Sequence, residues 1–272
     1  AHSNQRSRSV DLVVIEAVPG QPYSLVLGLG RSGIGAARLL RSLGQSVLLI
    51  ESNNNDSLAA KAEALRAEGI AVALGIPLDA SILSRFSAAP ERVIVSPGIR
   101  WDHPALAALR AAGVRCDGEI TTAWEATRPV PWIGITGTNG KTTVTHLVAH
   151  LLAAAGLDAP MCGNVGHSAA ELALERQAPD QRQPDWLVVE LSSYQIEAAP
   201  ALAPQIGLWT TLTPDHLERH GTLDNYRAIK RSLLERSAVR ILNFDDPDLR
   251  SRAGSWDQAR WITAGPREAA AA

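Results

Sequence analysis

With 272 residues the chain has room for about two domains, and 46% hydrophobic against 20% charged residues is the balance of a globular protein with a sizeable core. A formal net charge of −2 gives no electrostatic case for nucleic acid or a membrane surface as partner, and no run of about 18 apolar residues exists to span a bilayer. Two cysteines, Cys116 and Cys162, are too few for a disulfide framework and neither lies in a CxxC pair, so a reducing cytoplasm is the expected compartment.

Ala1–Ser9 is polar and basic and lacks the apolar centre of a secretory signal. Residues 1–22 carry little further signal and are read as an extension; the missing initiator Met and the alanine tail Ala269–Ala272 suggest a processed or truncated chain. Ser24–Leu27 reads as a strand and Gly28–Gly33 as a turn. Ile34–Leu43 follows as a helix with Ala36, Leu39, Leu40 and Leu43 at helical spacing, then Val47–Ile50 as a buried strand. The turn, Gly28-Leu29-Gly30-Arg31-Ser32-Gly33, fits the dinucleotide fingerprint, with Glu51 where a ribose-binding acid would sit. NAD, FAD and UDP-sugars all present the pyrophosphate such a turn cradles, and close packing of helix on strand would ask for the same glycines. Leu58–Glu68 reads as a helix, Val93–Val95 as a strand ending in the turn Ser96-Pro97-Gly98, and His103–Ala112 and Gly118–Thr127 as helices. Strands alternating with helices predict an α/β fold with a parallel sheet. The prolines of Thr127–Pro131 mark a linker, dividing a Rossmann-like unit at 23–129 from a second α/β unit at 130–272.

The second unit opens on Ile133–Thr143, I-G-I-T-G-T-N-G-K-T-T. A short apolar run enters a glycine-rich turn, and Val144, Leu147, Val148, Leu151 and Leu152 then repeat at helical spacing. Strand, glycine loop and helix in that order form a phosphate cradle, because loop and first-turn N–H groups converge on an anion that the helix dipole also favours. Lys141 would neutralise the β/γ-phosphates of a nucleoside triphosphate, and Thr142 could place its hydroxyl on Mg²⁺. A strict Walker A pattern needs glycine at position 135, where Ile135 stands, so the core of the motif is Gly137-Thr138-Asn139-Gly140-Lys141-Thr142, followed by Thr143.

Further along, Trp186–Glu190 is read as a strand ending in a carboxylate and continuing into Leu191-Ser192-Ser193-Tyr194-Gln195. Ligands of parallel sheets gather beyond the carboxyl ends of strands, so Glu190 and the phosphate loop could share one edge, where a hard oxygen suits Mg²⁺. A solvated or capping role is the alternative for a glutamate so placed. Ile206–Thr210 is a strand, followed by Thr213-Pro214-Asp215-His216. Asp224–Arg236 is a helix with the stripe Leu223, Tyr226, Ile229, Leu233 and Leu234, and Val239–Leu242 is a strand. Lys230 lies beside that stripe, so it either snorkels to solvent or has a task.

Together these segments resemble the Mur ligases, ATP-dependent amide-forming enzymes of peptidoglycan synthesis. Gly137–Thr143 is similar to the family's G-T/S-N-G-K-T/S loop, which accounts for the imperfect Walker pattern. Glu190–Gln195, Thr213–Arg219, Tyr226–Lys230, Ser96–Ile99 and Gly163–Gly166 resemble segments of its D-glutamate-adding branch, in the right order from about Tyr23 to beyond Asp246. The resemblance implies a P-loop ATPase-like second unit and a first unit that holds UDP. Gly28, Leu29, Gly30, Arg31, Ser32, Gly33, Glu51, Ser96, Pro97 and Gly98 would lie on the UDP-linked substrate, with Asn164 and Ser192 on its muramoyl-alanine part. It assigns Gly137, Thr138, Asn139, Gly140, Lys141, Thr142 and Thr143 to ATP, and Lys141, Glu190, His216 and Lys230 to catalysis. Thr142, Glu190, His216 and a carbamylated Lys230 are implied to serve Mg²⁺, with two metal sites.

The implied reaction joins D-glutamate to UDP-N-acetylmuramoyl-L-alanine through an acyl phosphate, in a cytoplasmic, monomeric enzyme without nucleic-acid or membrane partners. The family continues into the rest of the central domain and a third domain, so the chain is expected to be a fragment with little or no activity alone. Three rivals stand beside this reading: an oxidoreductase using NAD on Gly28–Gly33, a nucleotide-binding module without catalysis, and another ligase of the superfamily such as a folylpolyglutamate synthase.

Overall fold

The computed structural model describes residues 20–266, so most of the expected N-terminal extension and the alanine tail lie outside the described residues. The first sheet contains β1 (Tyr23–Leu27), β2 (Ser46–Glu51), β3 (Ala71–Leu74), β4 (Arg92–Val95) and β5 (Arg115–Gly118), ordered β3-β2-β1-β4-β5. Every pairing is parallel. The connecting helices are α1 (Arg31–Ser42), α2 (Asp56–Ala67), α3 (Pro104–Ala111) and α4 (Glu119–Ala126). Alternate side chains of β1 serve opposite cores. Leu25 and Leu27 join Val93, Val95 and Leu106 on one face, while Val26 joins Ile94, Ala36 and Leu40 under α1 on the other. The chain leaves β1 toward β2 and β3, then returns to β4 and β5, so β1 and β4 flank a topological switch point, where this class of sheet binds ligands.

The second sheet comprises β6 (Trp132–Thr136), β7 (Met161–Gly163), β8 (Leu187–Glu190), β9 (Ile206–Trp209), β10 (Val239–Asn243) and β11 (Arg260–Ile262), ordered β11-β10-β9-β6-β8-β7. It too is parallel throughout. Its helices are α5 (Lys141–Ala154), α6 (Ala169–Glu175), α7 (Ser193–Glu197), α8 (Leu217–His220), α9 (Leu223–Arg236) and α10 (Pro247–Ser251). Trp132, Val189, Trp209 and Leu242 pack with α6, α7 and α9. Ile133, Ile135, Val188 and Leu208 face α5 through Val144, Val148 and Leu152. The stripe expected on α5 is narrower than its apolar spacing implied: Leu147 and Leu151 are 53% and 57% exposed, because the helix lies on the sheet along one edge of that stripe only. Here the switch point falls at β6 and β9.

Candidate functional site

The glycine turn after β1 is held by contacts that leave no room for larger residues. The Gly28 N–H donates to Ile50 O at 2.9 Å, and a Cβ on Gly33 would collide with Gly28 O, so the turn and the start of α1 are in backbone contact. Ser96, just beyond β4, points its Oγ at both glycines; that oxygen is buried and has no hydrogen-bond partner. The Glu51 carboxylate accepts from Leu29 N at 3.0 Å and from Asn53 N at 3.0 Å. Burial would raise its pKa, but these hydrogen bonds outweigh it and hold the group below the usual carboxylate range. A cavity of about 110 Å³ opens here between Gly28, Glu51, Leu78 and Ile99. Arg31 reaches away from the turn, and its guanidinium donates to Gly166 O at 2.9 Å. Pro97 and Gly98 continue the β4 turn, and Ser32 lies in the first turn of α1.

On the second sheet the loop after β6 is clamped by residues that follow β9. Thr138 N donates to Thr211 O and Asn139 N to Thr211 Oγ1, both at 2.9 Å, while Thr210 Oγ1 donates to Asn139 O at 2.6 Å. A Cβ on Gly137 would strike Thr210 Oγ1, so only glycine fits there. Lys141, the first residue of α5, folds back to donate to Gly137 O at 3.0 Å and Thr138 O at 2.9 Å. Thr142 Oγ1 donates to Glu190 Oε2 at 2.8 Å, and Asn164 Nδ2 to Glu190 Oε1 at 2.9 Å. Glu190 is therefore not a solvated strand end: it is 2% exposed, with both oxygens engaged. Thr143 is exposed beside Thr142.

Lys230 does not snorkel. It is 1% exposed, and its amine donates to Gly137 O at 2.9 Å and to Thr136 Oγ1 at 3.2 Å, 4.7 Å from the centre of the Tyr226 ring. Burial lowers its pKa to about 7, helped by the nearby charge of Lys141 and opposed by Asp215. His216 has a left-handed backbone (φ 52°) and an exposed ring, which stands 5.2 Å from Tyr194 and 6.3 Å from Tyr226, centre to centre. Asp215 Oδ1 accepts from His216 N at 2.9 Å. Ser192 caps α7 in a reciprocal box with Gln195.

Oxygen donors suited to Mg²⁺ are present as the Glu190 carboxylate and the Thr142 hydroxyl, already in contact. No cluster of three or more His, Cys, Asp or Glu side chains able to hold a metal occurs among the described residues. Thr142 is thus bonded to Glu190, whereas the Lys230 amine is engaged by Thr136 and Gly137, and the His216 ring lies against Asp215 and two tyrosines.

Two features escaped the sequence reading. A largely apolar cavity of about 560 Å³ lies beside Gly140, walled by Val144, Leu208, Thr211, Asn243, Asp245 and Ile262. Asp245 shapes its far wall by accepting from Ala264 N at 2.8 Å and Thr263 Oγ1 at 2.6 Å. The signal available was N-F-D-D-P directly after a strand, at Asn243–Pro247. The other is His220, buried against Ser193 Oγ at 2.9 Å, with its pKa lowered to about 4 by burial and then by the neighbouring Arg219 charge.

Two family descriptions match successive parts of the chain. The description "Mur ligase MurD-like, N-terminal domain" matches residues 23–118, and "Mur ligase middle domain" matches residues 135–272. A UDP-N-acetylmuramoylalanine–D-glutamate ligase of Prochlorococcus marinus is 58% identical over 89% of this chain and 53% of its own length. One of Synechocystis sp. is 52% identical over 89% and 52%. The chain spans about half the length of the curated relatives it matches. Among solved structures, UDP-N-acetylmuramate:L-alanyl-gamma-D-glutamyl-meso-diaminopimelate ligase of Neisseria meningitides is similar with TM-score 0.58 at 18% identity, covering 89% of this chain and 77% of that one. UDP-N-acetylmuramate-alanine ligase of Thermotoga maritima gives TM-score 0.51 at 20% identity, covering 90% and 53%. These two likenesses concern the fold: a Rossmann-like unit followed by a P-loop ATPase-like unit. By sequence and architecture, the chain belongs to the Mur ligase family.

Proposed function

We propose that the protein carrying this chain joins D-glutamate to UDP-N-acetylmuramoyl-L-alanine, driven by ATP, as a monomer in the cytoplasm. The observation that carries this reading is the buried Lys230 amine, docked on the same loop carbonyl as Lys141. A lysine at 1% exposure is costly as a cation, and a pKa of about 7 leaves much of it as free amine at neutral pH. A neutral amine can add to CO₂, forming an N–C bond and releasing a proton, to give a carbamate with oxygen ligands. The name shared by these relatives at 52–58% identity, UDP-N-acetylmuramoylalanine–D-glutamate ligase, supports the same substrates.

The turn at Gly28–Gly33 and the N-terminus of α1 would take the UDP diphosphate, with the unpartnered Ser96 hydroxyl available to it and Glu51 bracing the loop through Leu29 N. The nucleotide phosphates of ATP would lie on Gly137–Thr143, with the base in the 560 Å³ cavity. Lys141 would turn from Gly137 O and Thr138 O to the phosphate oxygens, where charge builds during transfer. The alanine carboxylate attacks the γ-phosphorus and ADP departs; the amine of D-glutamate then attacks the acyl phosphate, and phosphate departs with formation of the amide. Mg²⁺, when bound, offsets the phosphate charge. Thr142 and Glu190 would hold one ion, and His216 with carbamylated Lys230 would serve a second.

Calorimetric titration of the chain with UDP, with ADP and Mg²⁺, and with NADH tests the assignment of the two edges. UDP and ADP are expected to bind and NADH is not; tight NADH binding without UDP binding would favour the oxidoreductase reading. For the longer protein, phosphate release should require both UDP-N-acetylmuramoyl-L-alanine and D-glutamate.

A further inference from the structure

The seam between the two sheets is formed by α1, α4 and α6, and it contains a carboxyl that the proposed chemistry leaves unused. Glu119, the first residue of α4, is 2% exposed. Its Oε1 accepts from Ala170 N at 2.6 Å, while Oε2 is buried without a partner. Burial pushes this carboxyl up to about 7, against the hydrogen bond from Ala170. Ser168 and Glu171 already form a capping box at the start of α6, so Glu119 takes a further free N–H of that helix end from across the seam. The preceding residue grips a second helix. Gly118 N donates to Ala198 O, just past α7, at 2.6 Å, and a Cβ on Gly118 would come within 2.9 Å of Ala198 Cβ.

One corner of the first unit therefore holds both α6 and α7, the helices that follow β7 and β8. Those strands end on Gly163 and Glu190, which are partners in the sheet register. The loop between β7 and α6 is bonded at both ends of the seam. Asn164 N donates to Glu190 O and Asn164 Nδ2 to Glu190 Oε1, each at 2.9 Å, and Arg31 from the glycine turn donates to Gly166 O at 2.9 Å. We propose that Glu119 is a positioning residue: through α6 and the Asn164–Gly166 loop it holds the glycine turn of the first sheet and the Glu190 edge of the second in one register. Its meaning for function rests on the assignment of UDP to that turn.

Amide hydrogen exchange of the whole chain, free and saturated with UDP, tests this in Glu119→Ala and Glu119→Gln. Removing the acceptor should speed exchange across residues 163–171 by about tenfold or more, while amides of β6 and β9 keep their rates. The amide oxygen of Glu119→Gln still accepts from Ala170 N, so that variant should stay within about threefold of the parent and show the same UDP-induced slowing at Asn164. In Glu119→Ala the slowing should vanish. Parent-like exchange at 163–171 in Glu119→Ala, or loosening of that stretch in a folded Glu119→Gln, overturns the proposal, and the second result decides the matter even if Glu119→Ala does not fold. Loosening in Glu119→Ala with no UDP effect in the parent supports the positioning role and counts against the UDP assignment. A UDP effect preserved in Glu119→Ala does the reverse.

Discussion

Replacing Lys230 with Met isolates the cost of burying an amine under the phosphate loop. Met has similar length and no charge, and neither former partner is orphaned: Gly137 O keeps Lys141, and Thr136 Oγ1 still donates to Leu191 O. A fall from the ordinary value of 10.5 to about 7 corresponds to about 5 kcal/mol of stability. Between those limits the unfolded chain carries a proton on Lys230 that the folded chain lacks, so parent stability rises with pH there; below about 7 the folded state carries the full cost of a buried charge. Lys230→Met lacks this dependence. Urea unfolding in CO₂-free buffer should find Lys230→Met the more stable protein at about pH 6.5, with its advantage shrinking by about 3 kcal/mol by about pH 9.5. The buried thiols of Cys116 and Cys162, pushed up by burial, weaken both proteins alike at high pH and cancel in the difference. Parallel stability curves for the two proteins would refute the reasoning.

Gly137→Ala should abolish ADP binding in calorimetry, because the added methyl collides with Thr210 Oγ1 and displaces the loop. Ser96→Ala removes a buried hydroxyl without a partner, so thermal unfolding should show stability unchanged or raised by up to about 1 kcal/mol, while UDP affinity falls several-fold. Asp245→Ala frees Ala264 N and Thr263 Oγ1 at the far cavity wall; ADP affinity should drop about tenfold with pyrophosphate affinity little changed, as competition titrations would reveal. Glu190→Gln keeps a partner for Thr142 but removes the charge, so the gain in ADP affinity on adding Mg²⁺ should largely disappear.

The phosphate loop was legible because its demands are local. A strand, two glycines, a lysine and a helix must follow one another within a dozen residues, and the clash at Gly137 shows why one of those glycines cannot vary. Lys230 was legible as an anomaly through its helical position, although Gly137 O, the group it meets, lies 93 residues away in sequence. The cavity beside Gly140 left only a partial trace, the Asn243–Pro247 run after a strand, which says nothing of its other walls. Its walls come from the ends of β9, β10 and β11 and from the phosphate loop, segments that only the sheet order brings together. Short edge strands were also missed. In β5, Arg-Cys-Asp-Gly shows no apolar alternation, since Asp117 is buried in ion pairs with Arg92 and Arg115. Glu119 reads in sequence as an ordinary acidic residue of a first helical turn; only the packing of α4 on α6 reveals a seam contact.

Lys141 and Lys230 converge on a single neutral oxygen, Gly137 O, at 3.0 and 2.9 Å. The loop therefore carries its own acceptor for both amines, one that an anion would have to outcompete. Exchanging a carbonyl for a multiply charged phosphate strengthens the bond to Lys141, because the contact of a cation with a neutral dipole becomes one between opposite full charges. A monovalent ion such as chloride offers far less in the same exchange. The arrangement sets a threshold: the cradle should stay closed on itself in ordinary salt and yield to polyphosphate, a form of selectivity against the wrong ligand rather than added affinity for the right one.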